Sequence, residues 1–135
     1  MAIFLDSSFV IAAEVETDQN HEKAAGILND ISSGIYGNAI ISDYIFSEIV
    51  TVTFLRTKEL AKAVFAGENL KKSTKIVKID ESIFELAWKI FQSQNKTKFS
   101  FTDCTILAVM NEKGVNYLAT FDEDFNHIKG VSIVS

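Results

Sequence analysis

The sequence predicts an α/β fold: a three-layer α/β/α sandwich around a central, mostly parallel five-stranded sheet. Three observations carry this prediction. Short apolar runs of strand length alternate with longer segments of helical periodicity, which is the pattern of βα units. The strand-like runs are continuously apolar, as expected for strands covered on both faces. Eleven Phe and no Pro suit a compact, regular fold with few rigid loops.

The first strand is Ala2–Leu5, an unbroken apolar run closed by Asp6. A short helix is expected over Ser8–Val15. The next, His21–Ser32, places Ala24, Ala25, Leu28 and Ile31 on one side. Asn38–Ser42 is the second strand and leads into a strongly apolar helix, Asp43–Arg56. Lys58–Leu70 follows, with Leu60, Ala61, Val64 and Phe65 as its apolar residues. Lys75–Ile79 is the third strand. In Ser82–Gln94, Phe84, Ala87, Trp88 and Phe91 recur at helical spacing, so they read as core rather than as a base-stacking surface. Thr102–Lys113 ends at Gly114, a good helix terminator. Asn116–Ala119 and Val131–Val134 complete the sheet.

Bulk properties narrow the function classes. The 135 residues fit one domain, 1–135, and 47% apolar residues can fill its core. A single Cys excludes an internal disulfide and any cysteine-rich metal site, so a reducing cytoplasm is the simplest compartment. No apolar run approaches the roughly 18–20 residues that span a bilayer. The start, Met-Ala-Ile-Phe-Leu-Asp, has no basic region and does not read as a secretory signal. The net charge of −5 is the wrong sign for a simple grip on phosphates, unless some carboxylates sit behind cations.

In parallel sheets, ligands bind outside the carboxyl ends of the strands. Asp6 follows the first strand and Asp122 follows the fourth, which puts both on that edge. Either alone is explained as a cap or turn former, because Asp is favoured there. Glu48 is less easily explained. With Ile45 at zero and about 100° per residue, Glu48 falls near 300°, between Leu55 near 280° and Val52 near 340°. That is the middle of the apolar face, where a carboxylate must be protonated, paired or metal-bound. A partner such as Arg56 or a Lys is the plain alternative. Asp103 similarly shares a face with Leu107 near 40° and Met110 near 340°. A helix N-terminus favours such a charge in any case. Ser100 or Thr102 can serve as the cap instead and leave Asp103 pointing inward.

Four acids from four segments can therefore converge on one edge. Without cations their repulsion raises some pKa values. Hard oxygen ligands suit Mg²⁺ or Mn²⁺, and such ions serve phosphoryl chemistry without a protein nucleophile. Other residues are weaker candidates. His21 and His127 belong to no metal-spacing motif and read as solvated. Cys104 lies about 100° off the Asp103 direction and reads as packing. Lys71, Lys72 and Lys75 read as a solvated cluster. Lys96 and Lys98 also suit solvent, but they precede Asp103 closely enough to touch RNA.

These residues resemble the PIN-domain family, in particular its VapC-type toxin ribonucleases. Ile3-Phe4-Leu5-Asp6-Ser7-Ser8 is similar to the family's opening strand, first acid and hydroxyl residues. Ser47-Glu48-Ile49 resembles the second motif. Ser100-Phe101-Thr102-Asp103-Cys104, followed by Ala108 and Met110, is similar to the third and is the most specific match. Thr120-Phe121-Asp122-Glu123-Asp124-Phe125 resembles the closing motif. The resemblance implies that Asp6, Glu48, Asp103 and Asp122 form an acidic quartet holding one or two Mg²⁺ or Mn²⁺ ions. It implies support from Ser8 and Thr120, with Asp124 as an extra acid. It also implies a homodimer, hydrolysis of single-stranded RNA, and a VapB-like antitoxin that covers the site.

Two other function classes compete. A catalytically silent PIN-like module would bind RNA or a protein, and the intact quartet argues against it. An aspartate phosphotransfer domain would need a second Asp two residues after the first, or paired acids after strand one. Position 8 is Ser, and that segment holds only Asp6.

Overall fold

The computed structural model describes all 135 residues. Its five strands are β1 (Ala2–Leu5), β2 (Asn38–Ser42), β3 (Lys75–Val77), β4 (Tyr117–Ala119) and β5 (Ser132–Val134). They form one sheet in the order β3-β2-β1-β4-β5, and every pairing is parallel. The chain begins at the centre, builds outward through β2 and β3, then returns to the other side of β1. Phe4 pairs with both Ile40 and Leu118, so β1 sets the register of the sheet. Strand order reverses at β1, where parallel sheets open a crevice at their carboxyl ends.

Six helices accompany the sheet: α1 (Ser7–Glu14), α2 (His21–Ser32), α3 (Asp43–Thr57), α4 (Leu60–Ser73), α5 (Glu81–Gln92) and α6 (Phe101–Lys113). Their ends follow local chemistry. The Ser42 hydroxyl accepts from Ile45 N at 3.1 Å, and the Asp80 carboxylate accepts from Ile83 N at 2.9 Å. Each satisfies a donor that the first turn leaves open. Gly114 closes α6 at φ 66°, in the left-handed region. Lys58 takes that conformation at φ 60° and ends α3. This is why α4 starts at Leu60 rather than at Lys58, where periodicity puts it. β3 also stops at Val77, because Asp43 Oδ1 captures Ile79 N at 3.0 Å and turns the chain toward α5.

The core lies between sheet and helices. Ile3, Phe4, Ile41 and Leu118 of the sheet are fully buried, as are Phe9, Ile45, Ile83, Ile106 and Phe125. Periodicity misplaces two helix faces. In α4 the small residues Ala63, Ala66 and Gly67 face inward with Leu70, while Leu60, Val64 and Phe65 are exposed. A Cβ at Gly67 would lie 3.1 Å from Val50 Cγ1 and 3.3 Å from Phe46 Cζ of α3, so the two helices pack closely there and a larger side chain would force these neighbours to shift. In α5 the buried residues are Ile83 and Ala87, whereas Phe84, Trp88 and Phe91 are about two-fifths exposed. These rings were expected in the core. Instead they cluster with Phe101, with Trp88 stacked on Phe91 at 5.7 Å between centroids.

The turn before β2 has a strict requirement at Gly37. Its φ is 79°, and a Cβ there would overlap the Met1 carbonyl at the start of β1. Gly34 has φ 88° but open space around it. Gly34→Ala is expected to cost about 1–2 kcal/mol from the left-handed conformation alone. Gly37→Ala should cost roughly 1–3 kcal/mol more from the added overlap, read as a lower urea midpoint.

Candidate active site

Asp6 leaves β1 with extended backbone and caps α1, its Oδ1 accepting from Ser7 N at 2.8 Å. Its own N–H donates to the Ala119 carbonyl at 3.0 Å, continuing the β1–β4 ladder into the site. Its Oδ2 accepts from Ser8 Oγ at 3.1 Å and from Thr120 Oγ1 at 2.7 Å. Each hydroxyl in turn accepts a backbone N–H: Phe121 N donates to Ser8 Oγ and Asp122 N to Thr120 Oγ1. The buried Asp6 carboxylate therefore aligns the end of β1 with the segment after β4. Ser8 and Thr120, the two hydroxyls expected beside the quartet, both bond to it.

Asp122 sits at that segment's exit. Its Oδ1 accepts from Asp124 N at 2.9 Å and starts a short 3₁₀ turn, Glu123–Phe125. Asp124 contributes this N–H, and its side chain is exposed. Phe125 anchors the turn in the core by stacking on Phe99 at 4.9 Å.

Asp103 lies in the first turn of α6, half-buried. The Ser100 hydroxyl accepts from Asp103 N at 3.1 Å, while Asp103 Oδ2 accepts from Ser100 N at 3.0 Å. This reciprocal pair is a capping box. The sequence offered two roles, helix cap or inward-facing acid, and the structure combines them.

Glu48 departs from its expected environment. The buried face of α3 is Ile45, Ile49 and Thr53, with Glu48 on its flank, exposed. Leu55, expected to share the buried face, is itself exposed. The apolar stripe of α3 is thus wider than the part the core covers. Glu48 is still tied to the other acids: Ser7 Oγ donates to its Oε1 at 2.7 Å. Ser7 was not singled out from the sequence, and only its place beside Asp6 could have signalled it.

The electrostatics show that the four acids share one region. Burial raises the Asp6 pKa, the Thr120 and Ser8 hydrogen bonds lower it, and the Asp103 charge raises it further. Burial raises Asp103 as well, opposed by Ser100 and reinforced by the charges of Asp122 and Glu48. No cation relieves this repulsion. The ion pairs of the molecule, Arg56–Asp18 at 2.8 Å and Lys62–Glu59 at 3.0 Å, involve none of the four. Lys96 and Lys98 are exposed in the α5–α6 connection, without an ion pair to any site acid. Cys104 is buried, and its thiol is pushed up by burial and by Asp103, which leaves it unreactive. His21, expected to be solvated, is part-buried, with Nδ1 2.8 Å from the Ala12 carbonyl oxygen.

No three acidic, histidine or cysteine side chains converge tightly enough to cage an ion by themselves. Mg²⁺ usually keeps several waters and binds through one or two carboxylates. An uncompensated cluster of hard oxygens at a strand edge fits that mode of binding.

The PIN domain family profile matches residues 3–131, nearly the whole chain. This chain belongs to the PIN domain family. The 23S rRNA-specific endonuclease VapC20 of Mycobacterium tuberculosis is 26% identical over 124 residues, covering 92% of each chain. The crystal structure of that protein, described as a sarcin-ricin loop cleaving toxin, superposes with a TM-score of 0.81 at 27% identity, again over 92% of each chain. VapBC2 of Rickettsia felis shares the PIN fold at a TM-score of 0.72 and 12% identity, covering 99% of this chain and 98% of that one. VapBC-1 of nontypeable Haemophilus influenzae shares it at 0.72 and 16%, covering 100% and 98%.

The raised Asp6 pKa carries a sign for stability. A carboxyl that titrates higher when folded opposes folding once ionised; that cost is absent at low pH and grows as pH rises through the folded value. In metal-free protein, the Tm of Asp6→Asn is therefore expected to gain on that of wild type as the pH rises toward neutral, on top of the fixed cost of the hydrogen bonds it loses to Ser8 and Thr120. The gain should narrow as the pH falls toward the ordinary carboxylate range, as followed by thermal denaturation across pH.

Proposed function

We propose that this PIN domain protein is a Mg²⁺- or Mn²⁺-dependent endoribonuclease that hydrolyses RNA phosphodiester bonds, the toxin of a VapBC-type pair acting in the cytoplasm. One observation carries the reading: Asp6, Glu48, Asp103 and Asp122, from four separate segments, share the switch-point edge with no cation to compensate them. The name of the M. tuberculosis relative supports RNA as the substrate class. The VapBC structures support an antitoxin as partner. No helix is long and apolar enough to cross a membrane.

One or two bound ions would orient the phosphate, lower the pKa of an attacking water and stabilise the leaving oxygen. The chain's own residues prepare that chemistry. Asp6 is held rigid by Ser7 N, Ser8 and Thr120, so its carboxylate is positioned before any ligand arrives. Glu48 Oε2 and Asp122 Oδ2 have no protein donor, which leaves them as acceptors for water or cation. The capping box fixes Asp103 at the N-terminus of α6. Lys96 and Lys98 are free to meet the phosphates of a strand laid across this edge. Asp124 is a reserve ligand beside Asp122.

The exposed stripe Phe84, Trp88 and Phe91 supplies a surface for the homodimer. Exposed aromatic rings of this kind are typical anchors of protein interfaces.

The reading is tested by RNA cleavage with Mg²⁺ or Mn²⁺, 23S rRNA being the first substrate to try. Asp6→Asn and Asp103→Asn are each expected to lower the rate by at least about 100-fold, since outer-shell changes alone cost 10–100-fold. Equal activity in all three proteins would sink it, and RNA binding without cleavage would point to the silent module. Trp88→Lys should convert the dimer to a monomer in light scattering while leaving the circular dichroism spectrum unchanged.

A further inference from the structure

We infer that Ser7 is a positioning residue that latches the exposed Glu48 to the buried Asp6 side of the site, and so sets the protein's affinity for a divalent cation. The inference rests on the metal-dependent reading above and deepens it.

The geometry singles out this hydroxyl. Ser7 Oγ lies 2.7 Å from Glu48 Oε1 and 3.4 Å from Asp6 Oδ1. A serine hydroxyl has one proton, and the shorter contact shows that Glu48 receives it. Ser7 is 6% exposed, so water competes poorly for that proton. Its backbone is equally fixed, because Ser7 N donates to Asp6 Oδ1 at 2.8 Å.

Glu48 is the opposite case. It is exposed, it forms no ion pair, and Ser7 is its one side-chain hydrogen-bond partner. The charges of Asp103 and Asp122 stand nearby. An untethered glutamate there gains rotamer freedom and escapes repulsion by swinging into solvent. The Ser7 bond opposes both tendencies and keeps an oxygen of α3 next to the β1–α1 turn. Asp6 and Glu48 would then both be in place to help hold a divalent ion. Without the latch, Glu48 would first have to return from solvent. Ser8 and Thr120 cannot substitute, since their hydroxyls are engaged with Asp6 and with each other.

The test is Mn²⁺ titration of the full chain by calorimetry, without RNA. Ser7→Ala is expected to weaken Mn²⁺ binding by about 10-fold, the lower end for loss of an outer-shell partner. Ser7→Thr keeps the hydroxyl and should stay within about threefold of wild type. Ser7→Cys fills the space with a weak donor and should resemble Ser7→Ala; it serves if the alanine variant does not fold. The effect must also pass through Glu48, so Ser7→Ala should add almost nothing in a Glu48→Ala background, where no acceptor for the hydroxyl remains. Wild-type affinity in both Ser7→Ala and Ser7→Cys would overturn the inference. So would an equal loss with and without Glu48, which would mark Ser7 as a general support of the α1 turn. A wild-type protein that binds no Mn²⁺ would fail differently, taking down the metal reading and this inference together.

Discussion

The hydrogen bond from Thr120 to Asp6, 2.7 Å long and buried, is the contact on which the site depends. It joins the residue after β1 to the residue after β4, across the place where strand order reverses. Ser8 repeats the link from the α1 side, and both hydroxyls hold backbone N–H groups of the following segment. A buried carboxylate is costly unless its oxygens are satisfied. Here the satisfaction of Asp6 is also what brings Asp122 to the same edge. Folding of the sheet and assembly of the acids are thus one process.

Rigidity falls off outward from that contact. Asp6 is held through both oxygens. Asp103 and Asp122 each give one oxygen to a backbone N–H and keep the other free. Glu48 has a single side-chain tether. The gradient runs from a fixed anchor to an adjustable arm, which would suit the proposed entry of a hydrated ion and then a phosphate. Burial, with the charges of the neighbouring acids, also raises the pKa values of Asp6 and Asp103 above the ordinary carboxyl range.

The βα alternation made the architecture legible, because strands buried on both faces leave uninterrupted apolar runs. All five strands and six helices lie where the runs and periodicities put them, with ends shifted by a residue or a few. Ends depend on single capping contacts, such as Asp43 capturing Ile79 N, that periodicity does not contain. Asp6 and Asp122 were readable from topology and Asp103 from its helix position. Glu48 was readable for the wrong reason: its helix carries more apolar residues than the core covers, so the apolar face overstated its burial. The same excess hid the surface stripes of α4 and α5. Hydrophobic periodicity marks a face that wants a partner, and it does not say whether that partner belongs to the same chain. Ser7 was illegible, because its role arises from a contact with α3 that only the fold creates.

The capping box at Asp103 shapes how this protein can lose its activity over generations. A change at position 103 frays the start of α6 as well as removing an acid, and a change at Asp6 unpairs two hydroxyls and the backbone groups they hold. Glu48, exposed and singly tethered, can be replaced with little structural consequence. Where a lineage comes under pressure to disarm such a protein while keeping it folded, drift should therefore enter through α3, leaving a stable scaffold whose remaining three acids still mark what it once did.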